Sequence, residues 1–136
     1  MDVIADTSFL VGLWRRQPWA FEFAQKQPDL AIGIPWVVLG EFWHGAVKAG
    51  HDEARVRRFL RLGVPLMDPA PVISSYATLC AHLQEQGVYK KMGQNDLWIA
   101  AVALEAGRPL VTRNTRHFGA IEELDVLALE SSSTST

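Results

Sequence analysis

The sequence predicts an α/β fold built on a mainly parallel sheet. Short apolar runs rich in β-branched residues, at 3–5, 30–34, 64–67, 108–112 and 126–129, alternate with longer segments of helical periodicity. Strands separated by helices form parallel sheets, and the crossovers between them are right-handed almost without exception. Since no repeat or linker interrupts this pattern, we expect one domain over residues 1–130 and a mobile polar tail over 131–136.

The first half of the chain predicts four helices around its strands. The strand at 3–5 ends at Asp6, and a helix begins one or two residues later and runs to about residue 17. Pro18 suits the first turn of a second helix. Pro35 opens a third helix over 36–49, which Gly50 closes. Residues 52–62 place apolar side chains on one side and arginines on the other, which predicts an amphipathic fourth helix.

The second half continues the alternation after the strand at 64–67. Residues 68–71 predict a turn, and the following helix over 72–86 ends at Gly87. Residues 88–94 have the composition of a loop. Asn95 or Asp96 then caps a strongly apolar helix over 97–106, which Gly107 terminates. Between the last two strands, residues 113–119 predict a turn with a single helical turn.

Composition excludes several classes of protein. The 136 residues carry a net charge of −2 with 49% hydrophobic residues, as in globular domains, and no apolar run approaches the ~20 residues that span a bilayer. There is no basic-then-apolar leader, and the lone Cys80 excludes an internal disulfide, so we expect a cytoplasmic protein. The basic residues form local clusters that can steer a polyanion despite the net charge, or simply solvate helix faces: Arg15 and Arg16, 55–61, Lys90 and Lys91, and Arg113 and Arg116.

Three carboxylates occupy unusual places in this pattern. Asp6 follows a buried strand, where parallel sheets bind ligands, Glu41 lies in an apolar stretch of the third helix, and Asp96 opens the most apolar helix. Each alone has a structural explanation: an N-cap, a solvent-facing helix edge or arginine partner, and a favourable charge at a helix N-terminus. Three acids gathered at one sheet edge would instead need neutralisation. Ligand sets made only of oxygen select hard cations such as Mg²⁺ or Mn²⁺.

A zinc site does not fit the sequence. The single cysteine and the scattered histidines lack the spacing of zinc ligands. We interpret each histidine as a surface or helix residue: His44, His51, His82 and His117.

Four motifs in chain order resemble the PIN-domain nucleases, specifically the toxin subunit of VapBC-type toxin–antitoxin pairs. They are Asp6-Thr7-Ser8 after the first strand, Glu41 on the third helix, residues 95–101 (NDLWIAA), and residues 111–118 (VTRNTRHF). Order and spacing agree from residue 2 to about residue 129. Each motif is weak alone, and the four together are specific.

This resemblance implies a three-layer α/β/α PIN-like domain with a central, mainly parallel twisted sheet. It also implies an Mg²⁺- or Mn²⁺-dependent endoribonuclease, usually a homodimer, restrained by a small VapB-like antitoxin. By analogy, Asp6 and Asp96 are the principal metal ligands and Glu41 completes or orients the site. Asn114 lies where many members carry a fourth aspartate, so it is a site residue that cannot act as a carboxylate base. Further residues are expected to contact the site carboxylates or substrate phosphates: Thr7, Ser8, Thr112, Arg113 and Arg116.

The expected reaction is metal-assisted hydrolysis of RNA phosphodiester bonds, without a side-chain nucleophile. One alternative is a degenerate, non-catalytic PIN module that binds RNA or a protein partner, which Asn114 favours. A less favoured alternative is an aspartyl phosphotransferase of the haloacid-dehalogenase type with Asp6 as nucleophile. That chemistry needs a second aspartate two residues on, where this chain has Ser8.

Overall fold

The computed structural model describes residues 1–129 and places five strands in one parallel sheet. The strands are β1 (Val3–Ala5), β2 (Ile32–Pro35), β3 (Val64–Leu66), β4 (Leu110–Thr112) and β5 (Val126–Ala128). Their order is β3-β2-β1-β4-β5, and all neighbouring pairs run parallel. The predicted α/β class with a parallel sheet is therefore confirmed, with β1 at the centre. The predicted tail over 131–136 lies outside the described residues.

Helices flank the sheet and make the crossovers between its strands. In chain order they are α1 (Thr7–Trp14), α2 (Pro18–Lys26), α3 (Trp36–Lys48), α4 (Glu53–Leu60), α5 (Ile73–Glu85), α6 (Gln94–Ala106) and α7 (Thr115–Phe118). Short 3₁₀ turns cover Ala70–Val72 and Tyr89–Lys91, so the predicted loop at 88–94 contains a helical turn. No helix within residues 1–129 is long and apolar enough to cross a membrane.

The first helix is shorter than the sequence predicts. It ends at Trp14 because Arg16 adopts a left-handed backbone with φ of 53°, and Gln17 N–H donates to the carbonyl of Gly12 at 2.9 Å. This corner turns α2 back against α1. A Cβ on Gly12 would lie 2.6 Å from the Trp19 ring, so the close approach of the two helices requires glycine there.

The sixth helix begins earlier than predicted. Neither Asn95 nor Asp96 is the N-cap, because Leu97 N–H already donates to the carbonyl of Gly93 and the helix starts at Gln94. Asp96 therefore lies within the first turn, where the helix dipole favours its charge. The helix is buried on nearly all sides from residue 97 to residue 103, as its apolar sequence predicts, and it ends at Gly107 with φ of 63°.

The interior is a single apolar core with two polar side chains among its buried residues. Among the described residues, the buried polar side chains are Asp6, 4% exposed, and Thr112, fully buried. The register pairs Ala5 with Val111, so these two polar residues directly follow paired positions on adjacent strands. The buried polar side chains among the described residues thus lie at the carboxyl ends of the adjacent strands β1 and β4.

Candidate active site

Asp6 is fixed at the end of β1 by three hydrogen bonds. Its Oδ1 accepts from Phe9 N–H at 3.0 Å, which caps α1, and from Ser8 Oγ at 2.7 Å. Its Oδ2 accepts from Thr112 Oγ1 at the end of β4. The N-cap role considered from the sequence is therefore present, and it accounts for only one of the three bonds. The other two hold the carboxylate in a defined orientation between the strands.

The two hydroxyls that bind Asp6 also hold the loop after β4. Ser8 Oγ accepts from the backbone N–H of Arg113 at 3.1 Å, and Thr112 Oγ1 accepts from the backbone N–H of Asn114 at 2.9 Å. Both hydroxyls thus donate to the carboxylate and accept from the loop. A change in the position of Asp6 is therefore coupled to the position of residues 113 and 114.

The Asp6 carboxyl lies in an electrostatic environment that disfavours its ionised form. Burial raises the pKa of Asp6 above its usual value, its hydrogen bonds from Thr112, Ser8 and Phe9 lower it, and the charge of Asp96 raises it further. Asp6 and Asp96 are therefore electrostatically coupled across the site. A cation placed between them would relieve both the burial penalty and the repulsion.

Glu41 on α3 is held between the neighbours of the other two acids. Thr7 Oγ1 donates to Glu41 Oε1 at 2.6 Å, and Asn95 Nδ2 lies 3.3 Å from Glu41 Oε2. Thr7 follows Asp6 and Asn95 precedes Asp96 in the chain. Glu41 therefore contacts the chain neighbours of both Asp6 and Asp96, so the three predicted acids lie in the same region of the structure. The amide of Asn95 is a contact that the sequence reasoning did not assign to Glu41.

His117 is a site neighbour that the sequence reasoning missed. Its Nδ1 lies 3.1 Å from Asp96 Oδ2 and 3.0 Å from Asn114 Nδ2, although the side chain is exposed as expected. The buried Phe118 anchors α7 in the core, and this places His117 and Asn114 on the site side. The three-residue spacing of Asn114 and His117 across a helical turn was the available signal.

The two predicted phosphate-binding arginines differ in position. The guanidinium of Arg113 lies over the Trp19 ring, 5.2 Å from its centroid, and the backbone of Arg113 is tied to the site by Ser8. Arg116 is exposed on α7, and within residues 1–129 no hydrogen bond joins it to the acids. Arg113 is thus joined to the site through its backbone, while its guanidinium lies against Trp19.

The donor chemistry of the site fits an ion of the Mg²⁺ class in part. Asp6 accepts three hydrogen bonds in the described structure, which leaves one of its four acceptor positions, on Oδ2, for a ligand. Mg²⁺ commonly takes one or two carboxylates and keeps several waters, and Asp6 and Asp96 supply two. Within residues 1–129 no three Asp, Glu, His or Cys side chains converge closely enough to hold an ion. Direct ligation by Glu41 therefore stays a prediction.

The fold and the site define a class of protein: a parallel α/β domain with an acidic, hydroxyl-rich site at the carboxyl end of its central strands. The model of the PIN domain family matches residues 3–124. The chain belongs to the PIN domain family, as the motifs in the sequence predicted.

Individual proteins similar to this chain agree with the family assignment, and each similarity covers nearly the full length of both chains. Ribonuclease VapC4 of Mycobacterium tuberculosis (strain ATCC 25618 / H37Rv) is 27% identical over 135 residues, which cover 93% of this chain and 95% of that protein. The fold matches VapBC2 from Rickettsia felis bound to a promoter DNA fragment, with a TM-score of 0.83, 24% identity, and coverage of 96% and 100%. VapBC-1 from nontypeable Haemophilus influenzae gives a TM-score of 0.76 and 26% identity, covering 94% and 98%.

Proposed function

We propose that this chain is a divalent-metal-dependent endoribonuclease and the toxin component of a VapBC-type toxin–antitoxin pair. The observation that carries the proposal is geometric: Thr7 and Asn95, the chain neighbours of Asp6 and Asp96, both contact Glu41 near the carboxyl end of the sheet. The PIN domain match and the likeness to a protein named ribonuclease VapC4 support the same activity.

In this proposal the carboxylates bind Mg²⁺ or Mn²⁺, and the surrounding polar groups orient them. A bound divalent ion supplies Lewis-acid activation of water and stabilises negative charge on the phosphate. Asp6 and Asp96 hold the ion, and Glu41 completes or orients the site. Ser8, Thr7 and Thr112 keep the carboxylates in place through their hydroxyls.

Residues of the loop after β4 act on the substrate side. In this proposal Arg113, whose guanidinium lies over Trp19, binds a phosphate that flanks the scissile bond, and Arg116 is a second contact. Asn114 orients a water or the substrate with its amide. It cannot accept a proton as a carboxylate does, so it does not act as the base.

The partners follow from the named relatives and are part of the proposal. Structures similar to this chain are VapBC complexes, which supports a small VapB-like antitoxin as partner. We further propose a homodimer that acts on RNA in the cytoplasm, and a single domain ending near residue 130.

The test compares Asp96→Asn with Glu105→Gln, a carboxylate at the other end of the same helix. Purified wild type and Glu105→Gln are expected to cut a structured RNA in Mn²⁺ and to stop in EDTA, whereas Asp96→Asn is expected to lose at least about a hundredfold of the rate. Expression should arrest growth only for the two active forms. Cleavage without metal, or equal cleavage by Asp96→Asn, would overturn the proposal.

A second candidate is a PIN module that binds RNA without cutting it. Two observations favour it: Asn114 in place of an acid, and the absence of a converged three-ligand cluster among residues 1–129. It predicts RNA binding by wild type with no cleavage in either metal. A phosphate trapped covalently on Asp6 would instead support the aspartyl phosphotransferase.

A further inference from the structure

A groove between α1 and α3 leads away from the acidic site. It has a volume of about 280 Å³ and is lined by Val11, Trp14, Arg15, Glu41, Phe42, Gly45, Ala46, Ala49 and His51. Glu41 is therefore shared by the groove and the acidic site, so the two are continuous. The size of the groove suits one nucleotide and is too small for a duplex.

Two arginines lie at this groove, whose lining also includes one carboxylate, that of Glu41. Arg15 lines it, and the guanidinium of Arg55 lies over the Trp14 ring, 4.7 Å from its centroid. Among the ion pairs of residues 1–129, none involves Arg15 or Arg55. Stacking on Trp14 holds the planar guanidinium in one orientation, and its N–H groups are a good match for phosphate oxygens.

The floor of the groove is small and open. Gly45 and Ala46 lie on α3 between Trp14 and the acidic end, and a Cβ built on Gly45 meets no atom within 4 Å. Small floor residues between aromatic and aliphatic walls accommodate a flat ring. Positive charge at the rim and an apolar floor together match a nucleotide, which has a phosphate and an aromatic base.

From these observations we infer that the groove binds one unpaired nucleotide of the RNA strand, next to the nucleotide held at the acidic site. Arg55 and Arg15 bind its phosphate, and its base lies over Gly45. This inference rests on the proposed ribonuclease function, because it assigns part of the same substrate. It favours RNA over an acidic peptide because the apolar floor offers no group that would fix a flexible peptide carboxylate.

The first experiment measures RNA binding separately from cleavage. Fluorescence anisotropy of a single-stranded RNA oligonucleotide is followed in the Asp96→Asn background with added Arg55→Ala or, as control, Arg57→Ala. Arg57 lies on the same helix and is stacked on Trp43, and its charge is already paired with Glu53 at 2.8 Å. Arg55→Ala is expected to weaken binding about fivefold and to reduce the salt slope by about 0.7, the value for one phosphate contact on a single strand. Arg57→Ala is expected to change neither.

A second experiment blocks the groove without removing charge. Gly45→Leu places a side chain over the floor, and Gly40→Leu is the control, because Gly40 lies on the same helix with nothing within 4 Å of a built Cβ. The melting temperatures of the two variants are expected to be similar, and this result would show that both fold. Only Gly45→Leu is expected to raise KM for a long RNA, and Gly40→Leu is expected to leave KM unchanged.

The outcomes separate this inference from the proposed function. If the wild type cuts RNA and Arg55→Ala behaves as Arg57→Ala does, the groove assignment is wrong and the nuclease proposal stands. If the Arg55 and Gly45 variants bind polyglutamate more weakly than the wild type but bind RNA equally well, the groove belongs to an acidic protein partner and the inference is overturned. If the wild type binds RNA in an Arg55-dependent way without cutting it, the proposed nuclease activity is refuted and the assignment of the groove to a nucleotide stands.

Discussion

Replacing Asp6 by asparagine separates the stability of the site from its function. The change removes a buried charge and keeps nearly the same shape. The amide oxygen can still accept from Ser8 and Phe9, but the amide nitrogen would face Thr112 Oγ1 in place of an acceptor. Because Thr112 already accepts from Asn114 N–H, its own proton would lose its partner. The variant thus removes the cost of burying the charge of Asp6 and adds the cost of leaving the Thr112 hydroxyl proton without an acceptor.

The two effects have opposite signs and different pH dependence. The unmade hydrogen bond costs about 1–3 kcal/mol at every pH. The pKa of Asp6 is raised in the folded protein, first by burial and also by Asp96, so the folded state binds the proton more tightly than the unfolded state does. The stability from this proton is fully present below the unfolded pKa of about 3.8 and is lost as pH rises through the folded pKa. The loss is about 1.4 kcal/mol for each unit by which the folded pKa is raised.

The assay is urea unfolding of the wild type and Asp6→Asn in EDTA, at several values between about pH 4 and pH 7. Subtracting the two free energies of unfolding cancels the titrating groups that do not interact with Asp6. We expect the wild type to lose stability relative to the variant as pH rises. A wild type that gains stability relative to Asp6→Asn over this range would refute the reasoning, because it would mean that hydrogen bonds lower the pKa more than burial raises it.

Adding Mg²⁺ at neutral pH should stabilise the wild type more than Asp6→Asn. An ion that binds only the folded state contributes about 2.7 kcal/mol at a hundred times its Kd. The wild type should gain this and Asp6→Asn should gain little, because it lacks one of the two proposed carboxylate ligands. Equal stabilisation of both proteins would remove Asp6 from the proposed ion site.

The remaining predictions concern the supports of the site. Thr112→Val keeps the volume but removes the donor to the Asp6 carboxylate and leaves Asn114 N–H without its acceptor, so urea unfolding should show a loss of about 1–3 kcal/mol together with slower RNA cleavage. Unchanged stability would contradict this. Gly12→Ala should cost about 1–3 kcal/mol, because its Cβ would meet the Trp19 ring at 2.6 Å. Its control, Gly40→Ala, is unobstructed and should gain up to about 1 kcal/mol of helix propensity, and equal effects would show that the α1–α2 contact is loose.

The elements were predictable because each has a local signal. The β-branched run before Asp6, the proline at the start of α2 and the glycine after α6 mark boundaries that the structure reproduces within a few residues. The misplaced boundaries have causes that depend on the conformation of one residue. The left-handed backbone of Arg16 ends α1. Gly93, which has no side chain that could form a capping hydrogen bond, is the N-cap of α6.

The composition of the site was predictable, but its connections were not. The sequence places Asp6 after a strand, Glu41 within a helix and Asp96 at the start of a helix, and parallel order brings strand ends to one edge. It does not show that β1 lies beside β4. A contact of Thr112 with the site carboxylates was expected only from the family resemblance, and its pairing with Asp6, 106 positions away, was not assigned. For the same reason it gave no sign that His117 contacts Asp96 or that Asn95 contacts Glu41.

Neutral donors, rather than lysine or arginine, hold Asp6 and Glu41 in place, and His117 contacts Asp96. Hydroxyls of Thr7, Ser8 and Thr112 and the amide of Asn95 orient the carboxylates without cancelling their charge. Within residues 1–129 no lysine or arginine forms an ion pair with them. A lysine or arginine there would stabilise the apo fold and compete with any metal ion. Burial is the main cause of the raised pKa of Asp6, and the charge of Asp96 adds to it, so a cation beside the two carboxylates would stabilise the ionised form.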